Sequence, residues 1–108
     1  MDRHRLAEER SLAYHAVIAE RLGREPELLE RARARVRAWL ARSELMPFYA
    51  REWASILDQP LATIAAFLVA PSERACELRQ STPFAGALSA RERWRIWYEI
   101  GERNAEHS

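Results

Sequence analysis

Residues 26–42 read PELLERARARVRAWLAR. Leu28, Leu29, Ala32, Val36, Trp39 and Leu40 recur at spacings of three and four, which gathers them on one side of an α-helix. Pro26 suits the first turn, where its missing N–H would have had no intrahelical partner. Arginines border the apolar side on both edges: Arg24, Arg31, Arg35 and Arg42 along one, Arg33 and Arg37 along the other. Between positions 31 and 42 there are five arginines and no acidic residue.

Working outward, the same periodicity predicts five more helices. The first spans about 3–22, with Leu6, Ala13, Tyr14, Val17 and Ile18 on a broad apolar face and Gly23 as its stop. Residues 43–47 connect to a third helix over 47–57, with Tyr49, Trp53, Ile56 and Leu57 on one side. Asp58 or Gln59 caps the next start and Pro60 enters its first turn. The fourth helix, 61–69, has no charged residue, which places it in the middle of the fold. Pro71 opens a fifth helix carrying Ala75, Cys76 and Leu78 inward, and Ser81-Thr82-Pro83 breaks it. Phe84 plugs the loop that folds the last helix back. Ser89-Ala-Arg-Glu92 is a capping box, in which the Ser89 hydroxyl and the Glu92 carboxylate satisfy each other's backbone amides. The sixth helix runs to about Arg103, with Trp94, Trp97, Tyr98 and Ile100 inward and Arg95 paired to Glu99. The expectation is a single all-α domain over 1–108, a bundle of about six helices with the fourth wrapped by the tryptophans of the second, third and sixth.

The chain has 108 residues, 17 of them basic and every one of those Arg, with a net charge of +1. A near-neutral molecule does not attract nucleic acid as a whole, so any polyanion binding must be local. The single cysteine, Cys76, cannot form an internal disulfide, which fits a reducing cytoplasm. The charged N-terminus has no signal-peptide pattern, and the longest uncharged stretch near the centre, 61–70, is too short to span a bilayer. No membrane partner and no cofactor are expected. Four Trp could exceed what a small core hides, which favours a homodimer.

Four constellations bear on function. The arginine stripe of Arg31, Arg33, Arg35, Arg37 and Arg42 suits bidentate pairing with carboxylate or phosphate. Alternatively its stems cover the rim of the core while its heads pair with some of the 14 Glu. Residues 60–80 resemble a helix-turn-helix, with Ala65 at the small position and Ile64, Leu68, Ala70, Ala75 and Leu78 at apolar ones. That resemblance implies a DNA-binding face of Ser72, Arg74, Arg79 and Gln80; it departs from the pattern in placing Val69, not Gly, in the turn. His4, Glu8, Ser11 and His15 share a helix face but supply too few ligands for a metal, and read as a solvated face. Arg103-Asn104 followed by His107 resembles a shortened form of the Arg-polar…His motif of helical HEPN ribonucleases, which would act on an RNA phosphate.

No nucleophile triad, phosphate-binding Gly loop or Cys-His cluster is present in the sequence, and the chain is read as a non-enzyme. In size and all-α build it resembles the small partner proteins of bacterial toxin–antitoxin pairs, the antitoxins in particular. That resemblance implies neutralisation by occlusion, with Arg31, Arg35 and Arg42 pairing acidic groups of a protein partner. A helix-turn-helix regulator and a HEPN-type ribonuclease are the alternatives.

Overall fold

The structure is a computed structural model that describes residues 3–42 and 47–106. It contains six α-helices: α1 (Arg3–Arg21), α2 (Pro26–Ala41), α3 (Pro47–Leu57), α4 (Leu61–Leu68), α5 (Glu73–Arg79) and α6 (Ala90–Glu106). No strand occurs among the described residues. The connector at 43–46 lies outside them.

Local chemistry sets most of the boundaries. Pro26 stands in the first turn of α2 beside Glu27, whose charge favours the positive end of the helix dipole. The Ser72 hydroxyl caps α5 by accepting from the Ala75 amide at 3.2 Å. The capping box forms as expected: the Ser89 amide donates to Glu92 Oε1 at 3.0 Å, and the Glu92 amide donates to Ser89 Oγ at 3.1 Å. Glu92 also pairs with Arg21, which fastens the start of α6 to the end of α1. One expected cap is absent. Pro60 itself holds the N-cap position of α4, and no side chain caps that end.

Helix α1 is the organising element, packing against α4, α5 and α6, while α2 packs mainly on α3. The core joins Ile18, Leu28, Val36, Trp53, Ile64 and Phe84, all 6 % exposed or less. Trp53 is fully buried, donates from Nε1 to the Leu78 carbonyl at 3.2 Å, and meets Phe67 and Phe84 edge to face. Phe84 plugs the core as its loop position predicts, and Tyr14 fixes it by donating to its carbonyl at 2.7 Å. Gly86 turns the loop at φ 82°, a region side chains rarely enter.

Two expectations about the core are corrected. Helix α4 touches α1, α3 and α5 but buries only Ile64 and Leu68, and Leu61 and Val69 stand exposed. With Leu61, Ala62, Thr63 and Ala66 exposed, α4 packs on three helices without being covered all round, whatever its composition. The tryptophans do not surround it either: Trp53 is in the core, Trp39 lies at its margin, and Trp94 and Trp97 are outside.

Candidate interaction surfaces

The arginine stripe divides once its contacts are traced. Arg33 is structural: its Nε and Nη2 donate to the Leu57 carbonyl at 3.2 and 2.9 Å, satisfying the end of α3, and its Nη1 pairs with Glu30 at 2.9 Å. Arg35 donates to the Ala85 carbonyl at 2.6 Å and Arg31 to the Gly86 carbonyl at 3.4 Å. Both remain exposed, and each uses one of a guanidinium's five donors on a neutral acceptor. Arg37 and Arg42 are exposed as well. Among the described residues, no carboxylate pairs with Arg31, Arg35, Arg37 or Arg42. Arg31, Arg35 and Arg42 share one edge of α2 over about 16 Å of helix.

The α4–α5 unit arranges its polar residues differently from the DNA-binding expectation. Arg79 is buried, 5 % exposed, and does not reach solvent. Its Nη1 donates to the carbonyls of Leu68 and Ala70 at 3.3 and 2.8 Å, and its Nη2 to Cys76 Sγ at 3.1 Å. It therefore closes the C-terminal end of α4, where the helix dipole favours a cation. Arg74 is exposed but held by Glu52 at 2.9 Å and lies over the Phe67 ring at 5.3 Å. Ser72 is occupied as the cap of α5. Gln80 is exposed beside a cavity of about 450 Å³ that His4, Glu8 and Cys76 also line. No group of three metal-ligating side chains forms among the described residues.

The expected solvated face on α1 is corrected at His15, which is 1 % exposed. Its Nδ1 lies 2.8 Å from the Ser11 carbonyl, which can only accept, so Nδ1 carries the proton. Thr82 Oγ1 then donates to Nε2 at 2.8 Å and accepts from the Phe84 amide at 3.1 Å. Burial holds the His15 pKa down at about 4, the nearby Arg79 charge adds to the effect, and the Ser11 bond opposes it. Of the ribonuclease-like pair, Arg103 is exposed on α6 and His107 lies outside the described residues.

The largest departure from the sequence reading is on α6. Trp94, Tyr98 and Trp97 are 64 %, 54 % and 49 % exposed; Ile96 faces inward in their place, beside Ile100, which is buried as expected. Trp94 and Tyr98 stack with ring centroids 5.2 Å apart and planes 15° from parallel. The Arg10 guanidinium covers Trp97 at 4.0 Å, and its Nε donates to the Trp97 carbonyl. The two isoleucines give the signal that could have found this. They stand four apart, and Asn104 continues the same side, donating to Glu9 of α1 and to the Ile100 carbonyl at 2.8 Å each. The expected Arg95–Glu99 ion pair does not form.

No protein-family model, curated protein or solved structure matches the chain. No described helix is long and apolar enough to cross a membrane.

Proposed function

We propose that this chain is an interaction protein that binds an acidic protein partner along the exposed edge of α2, as an antitoxin-like neutraliser acting in the cytoplasm. The observation that carries the reading is that, among the described residues, no carboxylate partners Arg31, Arg35 or Arg42, although the sequence holds 14 Glu. Three uncompensated guanidinium groups on one helical edge present planar donors to carboxylates. Arg31 and Arg35 are also steadied by the Gly86 and Ala85 carbonyls, which lowers the entropy lost when a partner engages them. A polyanionic surface on a second protein would be occluded by such an edge, and charge complementarity would speed the encounter.

The reading that α5 enters a DNA groove is weaker, because Arg79 is consumed inside the fold and Arg74 is held by Glu52. A phosphate backbone lying on the α2 edge instead is a distinct outcome of the test. The protein is purified untagged, with and without nuclease, and the peak is analysed by light scattering and mass spectrometry. A protein partner that is lost at high salt and on Arg42→Glu with Arg31→Glu supports the proposal. A nuclease-sensitive peak transfers the edge to nucleic acid. An unchanged peak in the charge-reversed variant removes the reading.

A further inference from the structure

The exposed side of α6 carries a second apolar seam. Trp94, Tyr98, Gly101 and Ala105 follow one another at spacings of four, three and four, on the side away from Ile96 and Ile100. Such spacing lines up a narrow strip suited to another helix. Trp94 and Tyr98 are already stacked, so ordering them on contact costs little. Gly101, half-buried beside the Arg10 guanidinium, adds no side chain and Ala105 a small one, so the C-terminal half of the strip is lower, while Trp94 and Tyr98 make the N-terminal half tall.

The flank of the strip has the same polarity. Arg91 and Arg95 lie on its N-terminal half, Glu99 and Glu102 on its C-terminal half. All four are exposed, and none makes an ion pair among the described residues. A strip that is tall and basic at one end, shallow and acidic at the other, complements a reversed copy of itself. With the two-fold axis near Tyr98, Trp94 of one copy lies along the lower Gly101–Ala105 half of the other, beside its Arg10 guanidinium, and Tyr98 meets its own symmetry mate. Arg95 of each copy then stands beside Glu102 of the other. A parallel arrangement would instead set Trp94 on Trp94 and Arg95 beside Arg95, crowding the strip and opposing like charges.

We infer that the occupant of this face is a second copy of the chain, paired antiparallel through α6 into a two-fold dimer. An isologous pairing satisfies both flanks at once, because each Arg95–Glu102 contact occurs twice. The paired length from Arg91 to Ala105 is about 21 Å, a contact at the small end of stable interfaces, so the dimer dissociates on dilution. Trp, Tyr and Arg are also the side chains that carry most binding energy at such contacts. The inference uses none of the α2 arginines and stands apart from the function proposed above.

The test is sedimentation velocity over a dilution series on the wild type, Arg95→Glu, Glu102→Arg and the double exchange, with circular dichroism confirming that each folds. The expected result is a wild-type dimer that dissociates on dilution. Each single variant should be at least tenfold weaker, and the double exchange should restore the dimer. A wild type that is monomeric across the series overturns the inference and leaves the aromatic strip to a different partner. A dimer indifferent to both single changes overturns it equally, by placing the contact elsewhere.

Discussion

His15 is the residue through which acid reaches the core. Its imidazole is neutral, sealed by Ser11 and Thr82, and sits near a buried guanidinium. The folded pKa of about 4 lies below the unfolded value of 6.5, so the unfolded chain binds the extra proton between those limits. Stability is therefore complete above about pH 6.5 and falls as pH drops toward 4, by about 3 kcal/mol in all. Glu92 adds a second loss at lower pH. Its hydrogen bond to Arg21, with that to Ser89, holds its pKa near 2, below the ordinary 4.5, and its contribution fades as pH falls through that range. The window from pH 4.5 to 6.5 thus belongs to His15. Urea midpoints measured across it should slope for the wild type and flatten for His15→Gln, which cannot titrate. Arg79 makes a different demand. Its removal leaves the Leu68 and Ala70 carbonyls without their donor, so Arg79→Met should lose about 2–3 kcal/mol by urea unfolding. A base-contacting arginine on the surface would lose almost nothing on the same change.

At the scale of the element, α6 decides how the sequence should have been read. Its aromatic residues are the larger set, but the smaller pair Ile96 and Ile100 is the one turned toward α1, where it borders a groove shared with Ala13 and Val17. Truncation separates the two faces. At dilute protein, Ile100→Ala should cost about 2–4 kcal/mol of unfolding free energy and Trp94→Ala less than about 1. Ser89→Ala should cost about 1 kcal/mol through the lost cap, read in the same denaturation series. Where helices begin was legible because caps and prolines act locally: Pro26, Ser89 and Glu92 stand as their types predict. Residues 31–38 alternate polar and apolar, a strand-like period, yet they are helical, because Leu28, Leu29, Ala32 and Val36 bury together. Which face of an element turns inward was less legible, since it depends on neighbours distant in sequence. Arg79 illustrates this. It is an exposed-looking residue whose partners are the ends of another helix, nine and eleven positions away. The arginine stripe is similar, for Arg33 serves Leu57 across 24 positions while Arg42 serves no side chain at all among the described residues.

Across the whole molecule, two outward surfaces differ in kind. The α2 edge offers charge, and its proposed contacts weaken with salt because exposed ions are screened within about 8 Å at physiological strength. The α6 strip offers aromatic area, which salt does not screen. Raising salt from low to about 1 M should therefore release an acidic partner outright, while α6 pairing weakens only through its Arg95–Glu102 contacts and keeps its aromatic part, as read by light scattering on the purified complex. The placement of the indole rings has an optical consequence. Trp53 is wholly enclosed, whereas Trp94 and Trp97 face outward, so the folded protein emits as a mixture of a blue, shielded component and a red, quenchable one. Unfolding erases the blue component. Covering α6 converts part of the red one to blue, and acrylamide loses access to it. A single cuvette can therefore tell loss of structure from occupation of a surface, without any added dye.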